Sequence, residues 1–337
     1  MRIDAYTHFF PKKYFDRLEA SNVPDIGKRV REVPVIHDLD LRLKLIDSFP
    51  DYRQVISLAL PPISAFIKPG EAEEVAQIAN DGLAELCAKH PDQFAGFVAE
   101  APISAPDAGM RECERALKDI GALGVQIHTN VKGEPLDRPK FEPFFAAMNK
   151  LGKPIWIHPA RGANHPDYLD EKKSLYEIWW AFGWSYETAA AAARLVFSKT
   201  LDKYSNLKII LHHFGGIIPM LEGRIGPGWD QLGARTSDED YVSLRKSLKK
   251  RPLDYFQQDF YVDTAAFGGR GATLCGLEFY PQDKIIFASD CPFDPEKGPG
   301  YIRETIKILD SLDIPKERRD AIYYKNFEVL TGVKFSK

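Results

Sequence analysis

The chain has 337 residues, 44% of them hydrophobic and 28% charged, with a formal net charge of −3, the make-up of an ordinary globular protein. That balance argues against a nucleic-acid surface, and no apolar run approaches the ~20 residues that a membrane-spanning helix needs. Four widely spaced cysteines, Cys87, Cys113, Cys275 and Cys291, form no CxxC pair and read as free thiols in a reducing compartment.

The chain opens on "RIDAYTHFFP", whose first eight residues already include Arg2, Asp4 and His8. A secretory leader would run from charged to apolar residues instead, so a soluble, cytoplasmic protein is expected. Ile3 and Ala5 alternate with Asp4 and Tyr6 as in a strand, spanning Arg2–Thr7. Further strands are predicted at Gln54–Leu60, Phe94–Ala99, Leu123–His128, Pro154–His158, Leu207–His212, Asp259–Asp263 and Lys284–Ala288. Between them, helical periodicity marks Glu71–His90, Asp107–Ile120, Pro139–Leu151, Tyr186–Tyr204 and Arg270–Tyr280. Ser104 or Asp107 can cap the second helix, and Gly121 and Gly152 fall where helices should end.

Eight strands alternating with helices predict an α/β chain folded as a (β/α)8 TIM barrel, one domain over 1–337. A doubly wound open sheet is the alternative, but no Gly-rich phosphate turn follows an early strand. The stretches 12–53 and 159–185 are too long for plain barrel loops and read as insertions over the C-terminal face of the strands. The second carries Trp179, Trp180 and Trp184.

Barrel enzymes place their chemistry at the C-terminal ends of strands. Those ends here carry His8, Pro61, Glu100, His128, His158, His212 with His213, Asp263 and Asp290. One histidine at a strand end is more often structural than a ligand. Five of the eight histidines on one rim, together with carboxylates, are what a divalent metal site needs.

The segments "RIDAYTHFFP", "RLKLIDSF", "LGVQIHT", "PIWIHP", "NLKIILHHFGGIIPMLEGRI" and "IIFASDCPF" resemble the amidohydrolase-related (amidohydrolase 2) family. That family includes aminocarboxymuconate-semialdehyde decarboxylase and the nonoxidative aromatic-acid decarboxylases. The resemblance covers nearly the whole chain. It implies His8, His158 and Asp290 as metal ligands, with His213 and Asp290 as catalytic groups. His212 stands where relatives usually carry a small or apolar residue. Tyr6 departs from the family, in which His or Glu occupies that place. A neutral phenol is a poor ligand, because its pKa of about 10 must first fall. Three arrangements are open. In the first, the metal is held by His8, His158 and Asp290 alone; in the second, Tyr6 serves as a phenolate ligand or a donor to substrate; in the third, the metal site is lost.

The implied reaction is metal-dependent nonoxidative decarboxylation of an aromatic or unsaturated (muconate-type) carboxylic acid. A hydrolase or hydratase acting on a cyclic ester, amide or unsaturated acid could use the same site, and a non-catalytic barrel is the remaining reading. Zinc is the expected ion, with manganese or iron as alternatives. An anionic substrate calls for a cation. Arg29, Arg31 and Arg161 are the candidates, and Tyr6 and Trp184 could also touch substrate. Phe9, Trp156 and Trp179 could add flat walls. The resemblance further implies a homodimer or homotetramer, while charge and the lack of a long apolar run leave neither nucleic acid nor membrane as an expected partner.

Overall fold

Eight strands lie side by side in sequence order, every neighbouring pair parallel, in a computed structural model that describes residues 1–21, 28 and 30–335. They are β1 (Arg2–His8), β2 (Tyr52–Ser57), β3 (Phe94–Glu100) and β4 (Gly124–His128), then β5 (Pro154–His158), β6 (Lys208–Leu211), β7 (Phe260–Asp263) and β8 (Ile285–Ile286). The ring closes where β8 runs on past its last ladder residue. Ala5 donates its backbone N–H to Phe287 O and His8 to Cys291 O, both at 2.8 Å. Asp4 completes this seam by accepting from Ser289 N (3.0 Å), Ser289 Oγ (2.5 Å) and Tyr52 Oη (2.5 Å).

The helices that pack outside include α1 (Lys12–Ala20), α2 (Leu39–Asp47), α3 (Ala72–Lys89), α4 (Pro106–Lys118) and α5 (Glu142–Leu151). Further along are α6 (Gly183–Phe197), α7 (Pro252–Gln258), α8 (Arg270–Phe279), α9 (Pro299–Asp310) and α10 (Asn326–Thr331). Neither Ser104 nor Asp107 caps α4 through its side chain; Pro106 starts it, its missing N–H removing one of the orphan donors of a first turn. Gly152 ends α5 as expected, in the left-handed region at φ 62° with its N–H on Met148 O. The single helix expected over 186–204 is two, because Lys199 adopts φ 64° between α6 and a short turn at Thr200–Lys203.

Strand alternation sorts side chains into two cores. Ile56, Phe97, Ala99, Val125, Ile127, Ile155, Ile157, Ile209, Leu211 and Val262 face the helices. Val55, Val98, Trp156, Ile210, Ile286 and Ala288 fill the barrel and meet Phe327, Leu330 and Phe335, which plug its N-terminal end. Trp156 is completely buried there, its ring 6.0 Å from that of Phe327. It is a core side chain, not a wall for substrate, and so is Phe9. The insertion after β1 contains α1 and α2, and the one after β5 lies on the C-terminal rim with its tryptophans.

Candidate active site

The inward row continues upward from apolar to polar. Two residues beyond Val98, Trp156, Ile210 and Ala288 come Glu100, His158, His212 and Asp290. On strict alternation His8 would lie on the face opposite Ile3 and Ala5. A bulge in β1, where Asp4 pairs with Gln54 but Thr7 with Ile56, inserts one residue and turns both Tyr6 and His8 inward. The structure thus gathers His8, His158, His212 and Asp290, all buried, with one ligating atom from each within 4.8 Å of the others.

The proton positions follow from the acceptors. His8 Nδ1 lies 2.8 Å from Leu58 O, His158 Nδ1 2.7 Å from Pro159 O, and His212 Nδ1 2.5 Å from Asp263 Oδ2. Each of those oxygens accepts from Nδ1–H, so each imidazole turns the lone pair of Nε2 toward the common centre. Asp290 Oδ1 stands 3.0 Å from His8 Nε2 and 3.3 Å from His212 Nε2. Three lone pairs and a carboxylate aimed at one point, in a dry place, fit a cation well. Of the three imidazoles, His212 has the greatest affinity for a proton. Burial draws its pKa down, but Asp263 and then Asp290 outweigh that and lift it to about 9. His158 is held well below its ordinary value by burial and by neighbouring His8. Burial would raise the Asp290 carboxyl, but hydrogen bonds from His212 and His8 hold it well below the usual range.

His213 comes next to the cluster by a different route. It and Phe214 adopt left-handed φ of 59° and 52°, followed by Gly215 at 71° and Gly216 at 67°. Asp263 Oδ1 holds this turn by accepting the His213 backbone N–H at 3.0 Å, and it also accepts from Ala265 N at 3.1 Å. His213 Nδ1 donates to Ala265 O at 2.8 Å, leaving Nε2 buried with no hydrogen-bond partner among the described residues. Burial and the charge of His212 lower its pKa to about 4. It is therefore a neutral base with a free lone pair, its ring 3.5 Å from that of His212.

Tyr6 is completely buried and commits its O–H to Gln126 Oε1, while Gln126 Nε2 donates to Glu100 Oε2 at 2.8 Å. Its ring stands perpendicular to that of His212 at 4.7 Å. Trp184 is buried on the rim with its ring 6.0 Å from His158, and its Nε1 donates to Arg161 O at 3.0 Å. Arg161 itself reaches Glu187 at 3.6 Å. Arg31 is not brought to the cluster. Its side chain is 60% exposed and pairs with Glu19 at 3.2 Å; Arg29 lies outside the described residues. Trp179 packs on Trp184 at the rim. Past the end of β7, Phe267 lies between His213 and Tyr301, its ring tilted against both at 4.8 Å, and Phe293 lies 5.6 Å from His8. Phe267 and Phe293 follow strand ends, so position alone could have suggested them; Tyr301, in α9, gave no such signal.

The amidohydrolase family model Amidohydro_2 matches residues 3–327. Gamma-resorcylate decarboxylase of Rhodococcus jostii (strain RHA1) is 33% identical over 85% of this chain and 83% of its own length. The 2-amino-3-carboxymuconate-6-semialdehyde decarboxylase of Dictyostelium discoideum is 26% identical over 91% of this chain and 86% of its own. Among solved structures, a dihydroxybenzoic acid decarboxylase from Polaromonas sp. JS666 superposes with a TM-score of 0.78 at 27% identity. The match covers 98% of this chain and 96% of that one, which was solved with bound manganese and the inhibitor 2-nitroresorcinol.

Proposed function

Because this chain belongs to the amidohydrolase family Amidohydro_2, we propose that it is a metal-dependent, nonoxidative carboxy-lyase acting on an aromatic or unsaturated (muconate-type) carboxylic acid. The relatives that support this reading are decarboxylases. The observation that carries it is the convergence of three Nε2 lone pairs and Asp290 on one centre, beside a free neutral base. His8, His158 and Asp290 would hold a divalent ion. When bound, that ion supplies positive charge to fix and polarise the substrate's carboxylate or a neighbouring oxygen. Zinc is the choice we favour, since imidazole nitrogens dominate around Asp290; manganese, as in the Polaromonas structure, is the alternative.

Decarboxylation needs a proton delivered to the carbon that carries the carboxylate. The carbon–carbon bond then breaks, carbon dioxide leaves, and the bonding pair stays with the protonated carbon's π system. His213 Nε2 and the Asp290 carboxylate are the two proton acceptors beside the centre. His213 can take a proton from a substrate hydroxyl or water and return it, because it is neutral near pH 7. Trp184, beside His158, and Phe267, beside His213, would wall a flat ring, and Arg161 would meet the anionic end at the rim. Buried Tyr6 would bound the substrate side from below. Four free cysteines, two of them buried, suit a reducing cytoplasm. We also propose a homodimer or homotetramer. Leu169, Tyr168, Tyr176 and Phe182 of the second insertion and nearby Tyr186 are exposed apolar side chains that a partner copy would cover.

The test is carbon dioxide release in D2O by metal-loaded protein from aromatic acids, 2,6-dihydroxybenzoate first. The expected product carries one deuterium at the vacated carbon. A His213→Asn variant should keep its metal and lose roughly 10²–10⁴-fold in kcat. Hydrolysis of cyclic esters or amides with no carbon dioxide from any acid would overturn the reading.

A further inference from the structure

Tyr6 and His212 meet ring edge to face at the polar end of the barrel, and only one of them is set up to meet a cation. Tyr6 donates its O–H to Gln126 Oε1, and Gln126 is oriented for that role by its own donation to Glu100. Stripping the phenol proton would leave Tyr6 and Gln126 as two buried acceptors facing each other. His212 has the opposite arrangement. Its Nδ1–H is fixed by Asp263, and Asp263 is fixed in turn by the backbone N–H groups of His213 and Ala265. Its Nε2 lies 3.3 Å from Asp290 Oδ1. A carboxylate behind a histidine whose other nitrogen faces the ion is the usual support of a metal-bound imidazole.

We propose that His212 fills the coordination position that Tyr6 leaves empty, so that His8, His158, His212 and Asp290 are the protein ligands of one divalent ion, with Asp263 as positioning residue. The inference rests on the metal-dependent reading above and deepens it. The same bulge that brings Tyr6 inward places it under the cluster as a hydrogen-bonding floor, its ring 5.0 Å from that of His8 and 4.7 Å from that of His212. Three imidazoles and one carboxylate make a nitrogen-rich set that suits zinc better than manganese.

The test compares wild type, Tyr6→Phe, Asp263→Asn and His212→Asn, purified without chelator, with folding checked by circular dichroism. Metal per chain is measured by mass spectrometry, zinc affinity by competition, and the donor set by the visible spectrum of the cobalt(II)-substituted protein. Tyr6→Phe is expected to keep its equivalent of metal and its spectrum. Asp263→Asn should bind zinc roughly 10–100-fold more weakly, and His212→Asn more weakly still with an altered cobalt spectrum. Wild-type affinity and spectrum in His212→Asn, or loss of metal in Tyr6→Phe, would overturn the inference while leaving the metal-dependent reading standing. A wild type that takes up no metal even after reconstitution would sink both. If His212→Asn does not fold, the contrast between Asp263→Asn and Tyr6→Phe decides the matter.

Discussion

Glu100 shows how much a single buried group can set. Its carboxyl sits at the end of β3 with one hydrogen bond, from Gln126, and burial pushes its pKa up to about 8. The folded state therefore holds this proton over a range where the unfolded chain, near 4.5, has released it. Its contribution to stability is complete below that unfolded value and is lost as pH rises through 8. Glu100→Gln should consequently gain melting temperature relative to wild type progressively from pH 5 to pH 9; an unchanged difference across that range would count against the protonated carboxyl. Legibility at this scale was uneven for a physical reason. His8, His158, His213 and Asp290 were visible as polar residues ending apolar runs. His212 was given less weight than His213, although alternation puts it in phase with inward-facing Ile210. His213 is out of phase and comes beside the cluster only through a left-handed turn, which alternation does not predict.

At the scale of elements, the β1 bulge and the turn after β6 are the two irregularities that shape the cluster, and in the turn Asp263 meets the backbone N–H groups of His213 and Ala265. In the turn, two non-glycine residues sit at positive φ, each costing on the order of 1–3 kcal/mol. Asp263 and the packing of Phe214 hold them there. A Cβ added at Gly276 of α8 would lie 2.2 Å from the Phe214 ring. Alanine gains about 1 kcal/mol over glycine inside a helix, whereas overpacking costs about 1–3 kcal/mol. At so short a contact the clash should win. Gly276→Ala is expected to lower both the melting temperature and kcat, the latter because Phe214 adjoins His213; a stabilised, fully active variant would refute this. The strand count and order were legible because apolar runs recur with helices between them. The short extent of β8, only Ile285–Ile286, was not, since the seam there is made partly by the Asp4 side chain.

For the whole molecule, the barrel closes through Asp4 onto Ser289, the residue next to Asp290, so the seam and the site share a strand. Among the described residues no helix is long and apolar enough to cross a membrane. The insertion after β5 joins two properties in one piece of chain. Trp184 packs on His158, and within about fifteen residues of it Leu169, Tyr176 and Phe182 stand out in water. On the proposed assembly, covering that surface would also brace the wall behind His158 and would make protein concentration a control variable for turnover. Specific activity should fall on dilution along the same curve on which light scattering records the loss of assembled mass. A Leu169→Glu chain should show the diluted behaviour at every concentration. If dilution changes mass but not turnover, the wall stands without its partner, and each subunit works alone.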